Sequence, residues 1–255
     1  MSMGTRADVP CLDGPAYVGV DGCRAGWLAV HREGGALAYR IHEDVTALMR
    51  THSAPSMVLI DVPIGLPWHG QEGRPCDALA RRVLGPARAP SVFSPPCRSA
   101  AKAGSTQEAR QLNLAALGRS LSAQAWGICS KVAEVDSWLL EHPDERPRLL
   151  EVHPEVCFWG LNGQRPMLHR KSSKEGRAER LALLNSFEPE VHELLEKVLA
   201  ETRRKDVAAD DVLDALVAML TGSVQRGALQ ALHGSPDRDE RGLPMQMLFR
   251  DVDAG

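Results

Sequence analysis

Nowhere in the 255 residues does an apolar run approach the roughly 20 that a bilayer span needs, so no membrane-spanning helix is expected. The opening stretch MSMGTRADVPCLDG contains no apolar signal core, so secretion is not expected and the cytoplasm is the expected compartment. Positive charge is not in excess either. A net charge of -3 excludes a uniformly basic nucleic-acid binder, and any nucleic-acid surface has to be a local patch. None of the six cysteines, Cys11, Cys23, Cys76, Cys97, Cys129 and Cys157, forms a Cys-x-x-Cys pair, which disfavours a zinc ribbon or a disulfide framework and points to reduced thiols. There is no internal repeat and no low-complexity tract. What remains, 44% hydrophobic and 25% charged residues, is the composition of an ordinary globular protein with a sizeable core.

Residues 1–15 carry Gly, Pro and Asp without periodicity and read as a loose leader. Three strands are expected at 16–21, about 26–33 and about 36–42, the last two joined by a hairpin turn at Gly34-Gly35. Asp44 can cap a helix reaching about 51, on which Val45, Leu48 and Met49 have helical spacing. The continuous apolar run Met57 to Ile60 reads as a central parallel strand. This β-β-β-α-β order predicts an α/β protein in which an antiparallel meander passes through a helix into a strand of the same sheet.

From about 66 to 117, Pro, Gly, Arg and Ser crowd together, as in an insertion or the surround of an active site. A helix is expected over 120–142, with Leu121, Ala125, Ile128, Val132, Val135 and Leu139 on one face and Trp126 and Trp138 in core packing. The stretch 148–163 begins as a strand and breaks at Pro154. A basic segment at 165–180 holds six Lys or Arg against two Glu. A helix is expected from about 188 to 203, then a strong one over 206–222 that Asp206 can cap and Gly222 can end. The organisation expected is a single domain at 16–232 with the insertion inside it, and a tail at 233–255 whose one apolar run is MQMLF.

The acids carry the main chemical signal. Asp21 and Asp61 each close an apolar strand, Glu151 lies in the next strand, and Asp210, Asp211 and Asp214 sit on the last strong helix. If strands one and four are neighbours, Asp21 and Asp61 project at the same sheet edge, and a helix crossing it can add Asp211 and Asp214, which share a helix face. Converging carboxylates repel unless a cation lies among them, and oxygen ligands of this kind suit Mg2+ or Mn2+. Each acid also has a structural explanation. Asp21 before Gly22 can make a tight turn, Asp61 before Val62-Pro63 can terminate a strand, and Asp210 and Asp211 suit the first turn of a helix. Asp214, amid Val212, Leu213, Ala215, Leu216 and Val217, has little local reason to be charged.

Between 74 and 110 there are seven Lys or Arg against two Asp or Glu, and Arg74, Arg81, Arg82, Arg88 and Arg98 can grip phosphates through their guanidinium forks. Salt bridges to Asp77 and Glu108 on a solvated helix face are the competing explanation. Glu151 and His153 adjoin a strand end and can complete the catalytic constellation with Asp21, Asp61, Asp211 and Asp214; His153 is otherwise a proton carrier or a satisfied structural histidine. Zinc binding by His153 and Cys157 would need a helix, against which Pro154 argues.

The stretches VGVDGCRAGWLAV, IDVPIGLP, RPCDALARRVLG, SVFSPPCR, SLSAQAWGI, EVHPEVCFW and DDVLDAL together resemble the family called domain of unknown function 429, described as predicted RNase H-like nucleases, over roughly 16–220. The resemblance implies a mixed five-stranded sheet of order 3-2-1-4-5 with helices on both faces. It also implies a metal-binding set that carries onto Asp21, Asp61, Asp211 and Asp214 and in which Glu151 has no counterpart. A Mg2+- or Mn2+-dependent phosphodiesterase is the first functional expectation, with nucleic acid as a partner through the local basic patch. A non-catalytic nucleic-acid or protein binding module is the second. The third, an ATP-using protein of the actin and sugar-kinase type, rests on a loose likeness of DGCRAGW to a phosphate hairpin, and that architecture needs two such domains.

Overall fold

In the computed structural model, which describes residues 16–54, 56–71, 73–234 and 236–254, the first strand explains most of the architecture. Strand β1 (Tyr17–Cys23) alternates faces: Val18 and Val20 enter one core, while Tyr17, Gly19 and Asp21 point the other way. Across that second face runs the longest buried helix, α10 (Ala209–Ser223), whose residues Val212 to Gly222 are all buried. The two backbones nearly touch. A Cβ on Gly19 would lie 2.1 Å from both the Ala215 carbonyl oxygen and the Met219 nitrogen, and one on Gly222 would lie 2.2 Å from the Tyr17 ring. The successive contacts Tyr17 with Gly222 and Gly19 with Ala215 and Met219 run antiparallel, so Asp21 comes opposite the start of the helix.

Strand β1 pairs antiparallel with β2 (Gly26–Glu33), which pairs antiparallel with β3 (Ala36–His42). On its other side β1 is parallel to β4 (Met57–Ile60), which is parallel to β5 (Leu149–Glu151), giving the mixed order β3-β2-β1-β4-β5. Helix α1 (Val45–Thr51), capped by Asp44, covers one face together with α6 (Cys129–Glu141). The other face is covered by α7 (Pro154–Leu161), α8 (Lys174–Phe187), α9 (Val191–Glu201) and α10. The fold is therefore α/β with a five-stranded mixed sheet in order 3-2-1-4-5 and helices on both faces.

Several local expectations are corrected. Strand β1 does not end at Asp21 but runs on to Cys23, Asp21 pairing with Leu28, and the chain reverses at Arg24-Ala25. The Asp-Gly pair thus lies within the hairpin ladder. The strand does stop ahead of Pro154, but Pro154 does not oppose a helix there: it starts α7 at its first turn, where a missing N–H costs nothing, with His153 as the residue before the helix and Cys157 on it. The segment 66–117 holds α2 (Pro75–Arg88), kinked at Gly85, as well as α3 (Arg98–Ala101) and α4 (Thr106–Leu117). The helix expected over 120–142 is divided into α5 (Ala123–Gly127) and α6 at Ile128, although Leu121, Ala125, Val132, Val135 and Leu139 are all buried. Helix α10 starts after Ala208 rather than at Asp206, with Asp211 accepting the Ala208 N–H at 2.8 Å, and Gly222 packs against Tyr17 instead of ending the helix.

The MQMLF run leads into β7 (Leu248–Asp251), which pairs with β6 (Ala228–Ala231) as a second, two-stranded sheet. A parallel bridge from Leu248 to Val152 joins it to the strand edge beyond β5. Cys23, Cys76, Cys97, Cys129 and Cys157 are buried free thiols, and the expected leader with Cys11 lies outside the described residues. Among the described residues no helix is long and apolar enough to cross a membrane.

Candidate carboxylate site

Because Val20 and Ile60 are partners in the parallel ladder, the next residues on each strand, Asp21 and Asp61, come side by side, and the Asp61 N–H continues the ladder to the Val20 carbonyl at 2.9 Å. Helix α10 brings Asp214 and Asp211 within electrostatic reach of Asp21, although no three of the four carboxylates have oxygens within 4.8 Å of one another. The electrostatics register the convergence. Burial pushes the Asp21 carboxyl well above the ordinary range, and the charges of Asp61, Asp214 and Asp211 push it further. Burial also raises Asp61 to about 6 and, with Asp61 as a neighbour, Asp214 to about 6. Asp211 is raised by burial while its bond to the Ala208 amide pulls the other way.

Among the described residues one cation is bonded to this group, and the sequence reading had not singled it out; Lys131, which donates to the Gly26 carbonyl, acts on Asp21 and Asp211 only through its charge. Lys171, in the turn before α8, donates from Nζ to Asp214 Oδ2 at 3.0 Å. Asp214 pushes the lysine up, with further support from Asp61 and Asp21 after the opposing cost of burial. The available signal was the basic segment 165–180, of which Lys171 is a member. Asp210 stands apart, 3.8 Å from Arg177.

Glu151 does not join the aspartates. Its carboxylate receives a two-pronged contact from Arg74, Nη1 to Oε2 at 2.9 Å and Nη2 to Oε1, and accepts the Ile64 N–H at 2.7 Å. Arg74 also donates from Nε to Asp77 at 3.1 Å and from Nη1 to the Ile64 carbonyl at 3.1 Å. Its side chain is 0% exposed, which corrects the expectation that it grips substrate. Cys76, Asp77 and Glu151 place three possible metal-ligand atoms within 4.8 Å of one another, the one such trio among the described residues. The cation there is already the guanidinium. This buried network pins the loop that follows Asp61 to β5 and to the start of α2.

The other insertion arginines are mostly occupied as well. Arg98 binds Asp136 at 2.9 Å, Asp239, and Glu240 at 3.0 Å. It lines an open cavity of about 560 Å³ with Trp68, His69, Lys102 and Arg241, and none of the four aspartates lines that cavity. Arg81 holds the Val92 carbonyl and Ser94, and Arg88 holds the Leu168 carbonyl. Arg82 is exposed. His153, the residue before α7, has Nε2 at 3.3 Å from the Ser91 carbonyl oxygen, and its Nδ1 is buried without a partner among the described residues. Burial lowers its affinity for a proton, and both Asp214 and Lys171 are near enough to influence it.

The raised carboxyls have a consequence for stability. In the unfolded chain Asp61 and Asp214 titrate near 4, and in the folded chain at about 6. Their contribution to stability is complete below the unfolded value and is lost as pH rises through the folded one. His31, His42 and His52 slope the opposite way, since burial lowers each of them, His52 to about 4, and their contribution is lost as pH falls. Urea denaturation in EDTA at about pH 5 and about pH 8 should therefore show a larger alkaline loss for the wild type than for Asp61→Asn. Equal losses would mean that Asp61 is not held in its protonated form by the fold.

The fold defines an α/β protein with a mixed five-stranded sheet, in which Asp21 inside β1 and Asp61 just past the end of β4 lie on adjacent parallel strands. The chain belongs to the family described as protein of unknown function (DUF429), whose model matches residues 19–238. No curated protein and no solved structure matches it.

Proposed function

We propose that the protein is a divalent-metal-dependent phosphodiesterase, and specifically a nuclease, built on an RNase H-like arrangement. The observation that carries this reading is the approach of Asp21, Asp61, Asp211 and Asp214 from β1, the end of β4 and α10, with protonation pushed upward by burial in all four and, in Asp21 and Asp214, by neighbouring aspartates as well. Carboxylates brought together at this cost suit a hard dication such as Mg2+ or Mn2+, with Asp21, Asp61 and Asp214 as ligands and Asp211 as a ligand or as the group orienting them. Such an ion, when bound, supplies Lewis acidity and offsets charge on a phosphoryl group. The protein's own part is to hold the carboxylates at fixed places on a sheet edge and a buried helix.

A binding module that uses the insertion arginines is less well supported, because Arg74 and Arg98 are committed to internal acids and Arg81 and Arg88 to backbone carbonyls. Nucleic acid is the substrate class proposed for the carboxylate group, independently of the insertion arginines.

The reading is tested by incubating the purified chain with bis(p-nitrophenyl) phosphate and with single- and double-stranded DNA and RNA, in Mg2+, Mn2+ or EDTA. Cleavage that needs the metal and disappears in Asp61→Asn supports it. Cleavage that persists in EDTA or in Asp61→Asn would exclude this site as its source, and no cleavage of any substrate would favour a binding role.

A further inference from the structure

Two clusters of acids lie close together in this fold, and each has its own cation, but the two cations are held very differently. Arg74 is fully buried, its fork bonded to Glu151, Asp77 and the Ile64 carbonyl, and it has no route out. Lys171 makes one hydrogen bond, to Asp214, from a side chain that is 50% exposed, although the carboxylate it meets is 5% exposed. An ammonium on a flexible four-carbon stem can swing into water with little loss, whereas a fork locked by several bonds cannot.

The backbone beneath Lys171 is fixed. Glu179 accepts the N–H groups of both Leu168 and His169, at 2.8 and 2.9 Å. Arg88 holds the Leu168 carbonyl, and Arg180, itself paired with buried Glu155, holds the His169 carbonyl at 3.1 Å. The Ser173 N–H bonds the Arg170 carbonyl at 3.0 Å, and Gly176 passes so close to that carbonyl that a Cβ there would sit 1.9 Å from it. A clamped loop with a half-exposed side chain at its tip places an ammonium against Asp214, while Lys131 acts on Asp21 and Asp211 from the other side of β1's hairpin only through its charge.

We propose that Lys171 is a tethered counter-ion that takes the place of a divalent cation at Asp214, so that the ammonium and the metal bind there in mutual exclusion. This inference rests on the metal-site reading above and adds to it a competitor supplied by the chain. Removal of the ammonium leaves the carboxylates more negative, and a dication gains more from that than a proton does. Retention of a cation with a planar, multiply bonding head should make displacement harder.

The test is calorimetric titration with Mn2+ at about pH 8, above the value of about 6 to which Asp61 and Asp214 are raised, of wild type, Lys171→Met and Lys171→Arg. Mn2+ is expected to bind Lys171→Met about tenfold more tightly than wild type, and Lys171→Arg more weakly, within the usual range of coupling between linked sites. Thermal melts supply a readout independent of turnover: Mn2+ should raise the melting temperature of Lys171→Met more than that of the wild type. Should Lys171→Met melt below the titration temperature, Lys171→Gln answers the same question. Wild type that binds Mn2+ while the neutral variants bind it equally or less tightly would overturn the exclusion and leave the metal site standing. Absence of binding in every variant would overturn the metal site itself, and the exclusion with it.

Discussion

Asp21→Asn is expected to make the metal-free protein more stable while removing the metal-dependent cleavage proposed for it. Asparagine keeps the oxygen that accepts the Gly22 N–H at 2.8 Å, so the hairpin loses nothing locally. It removes a buried carboxylate whose charged form is disfavoured by its surroundings and by three neighbouring aspartates. Relief of that repulsion should stabilise by about 2 kcal/mol, the size seen when a functional site is neutralised, or about 6 °C in melting temperature for a chain of this size. Metal-dependent phosphodiester cleavage should fall about a thousandfold or more, as on loss of an essential group. Melts in EDTA, repeated in Mn2+, check both halves: Mn2+ should raise the wild type and leave the variant unmoved. A variant less stable than wild type in EDTA would show that Asp21 is a structural residue.

The opposite pattern is expected at Arg74. Arg74→Met removes the only cation described in contact with Glu151 and Asp77 and leaves both carboxylates facing a dry interior. Breaking a buried pair from one side costs about 3–5 kcal/mol, because the partner's charge remains without compensation. The Arg74 head also ties together the loop after β4, β5 and the N-terminus of α2, so the loss should be global rather than local. The double variant Arg74→Met/Glu151→Gln should recover part of that stability, since it removes one of the two stranded charges, leaving Asp77. Urea denaturation of the single and double variants measures this. An additive result would mean that Arg74 contributes by packing alone.

These two acid clusters also show why the sequence could be read only in part. Asp21, Asp61 and Asp214 were recognisable because each interrupts an apolar run where a charge is costly, and in Asp214 no capping role competes. Glu151 interrupts a strand in the same way, yet its partner lies 77 positions earlier in the chain, and no local pattern identifies an arginine as buried. The meander and the parallel strand β4 followed from their short apolar runs and turn residues. Helix α8 did not, because its buried positions are Gly176, Arg180 and Leu184, a stripe in which two of three residues are not apolar. Helix α7 is buried on every side and so has no periodicity to detect. Lys171 was visible only as one charge within a basic segment. Its meeting with Asp214 depends on how the α8 loop is clamped against α7 and α10.

The central claim is that Asp21, Asp61, Asp211 and Asp214 jointly hold a divalent cation. Anomalous scattering from crystals soaked in Mn2+ tests it most directly. A manganese peak among those carboxylates, with the Lys171 ammonium moved away from Asp214, is the expected result. A peak at Cys76, Asp77 and Glu151, or no peak with Lys171 still bound to Asp214, would contradict it.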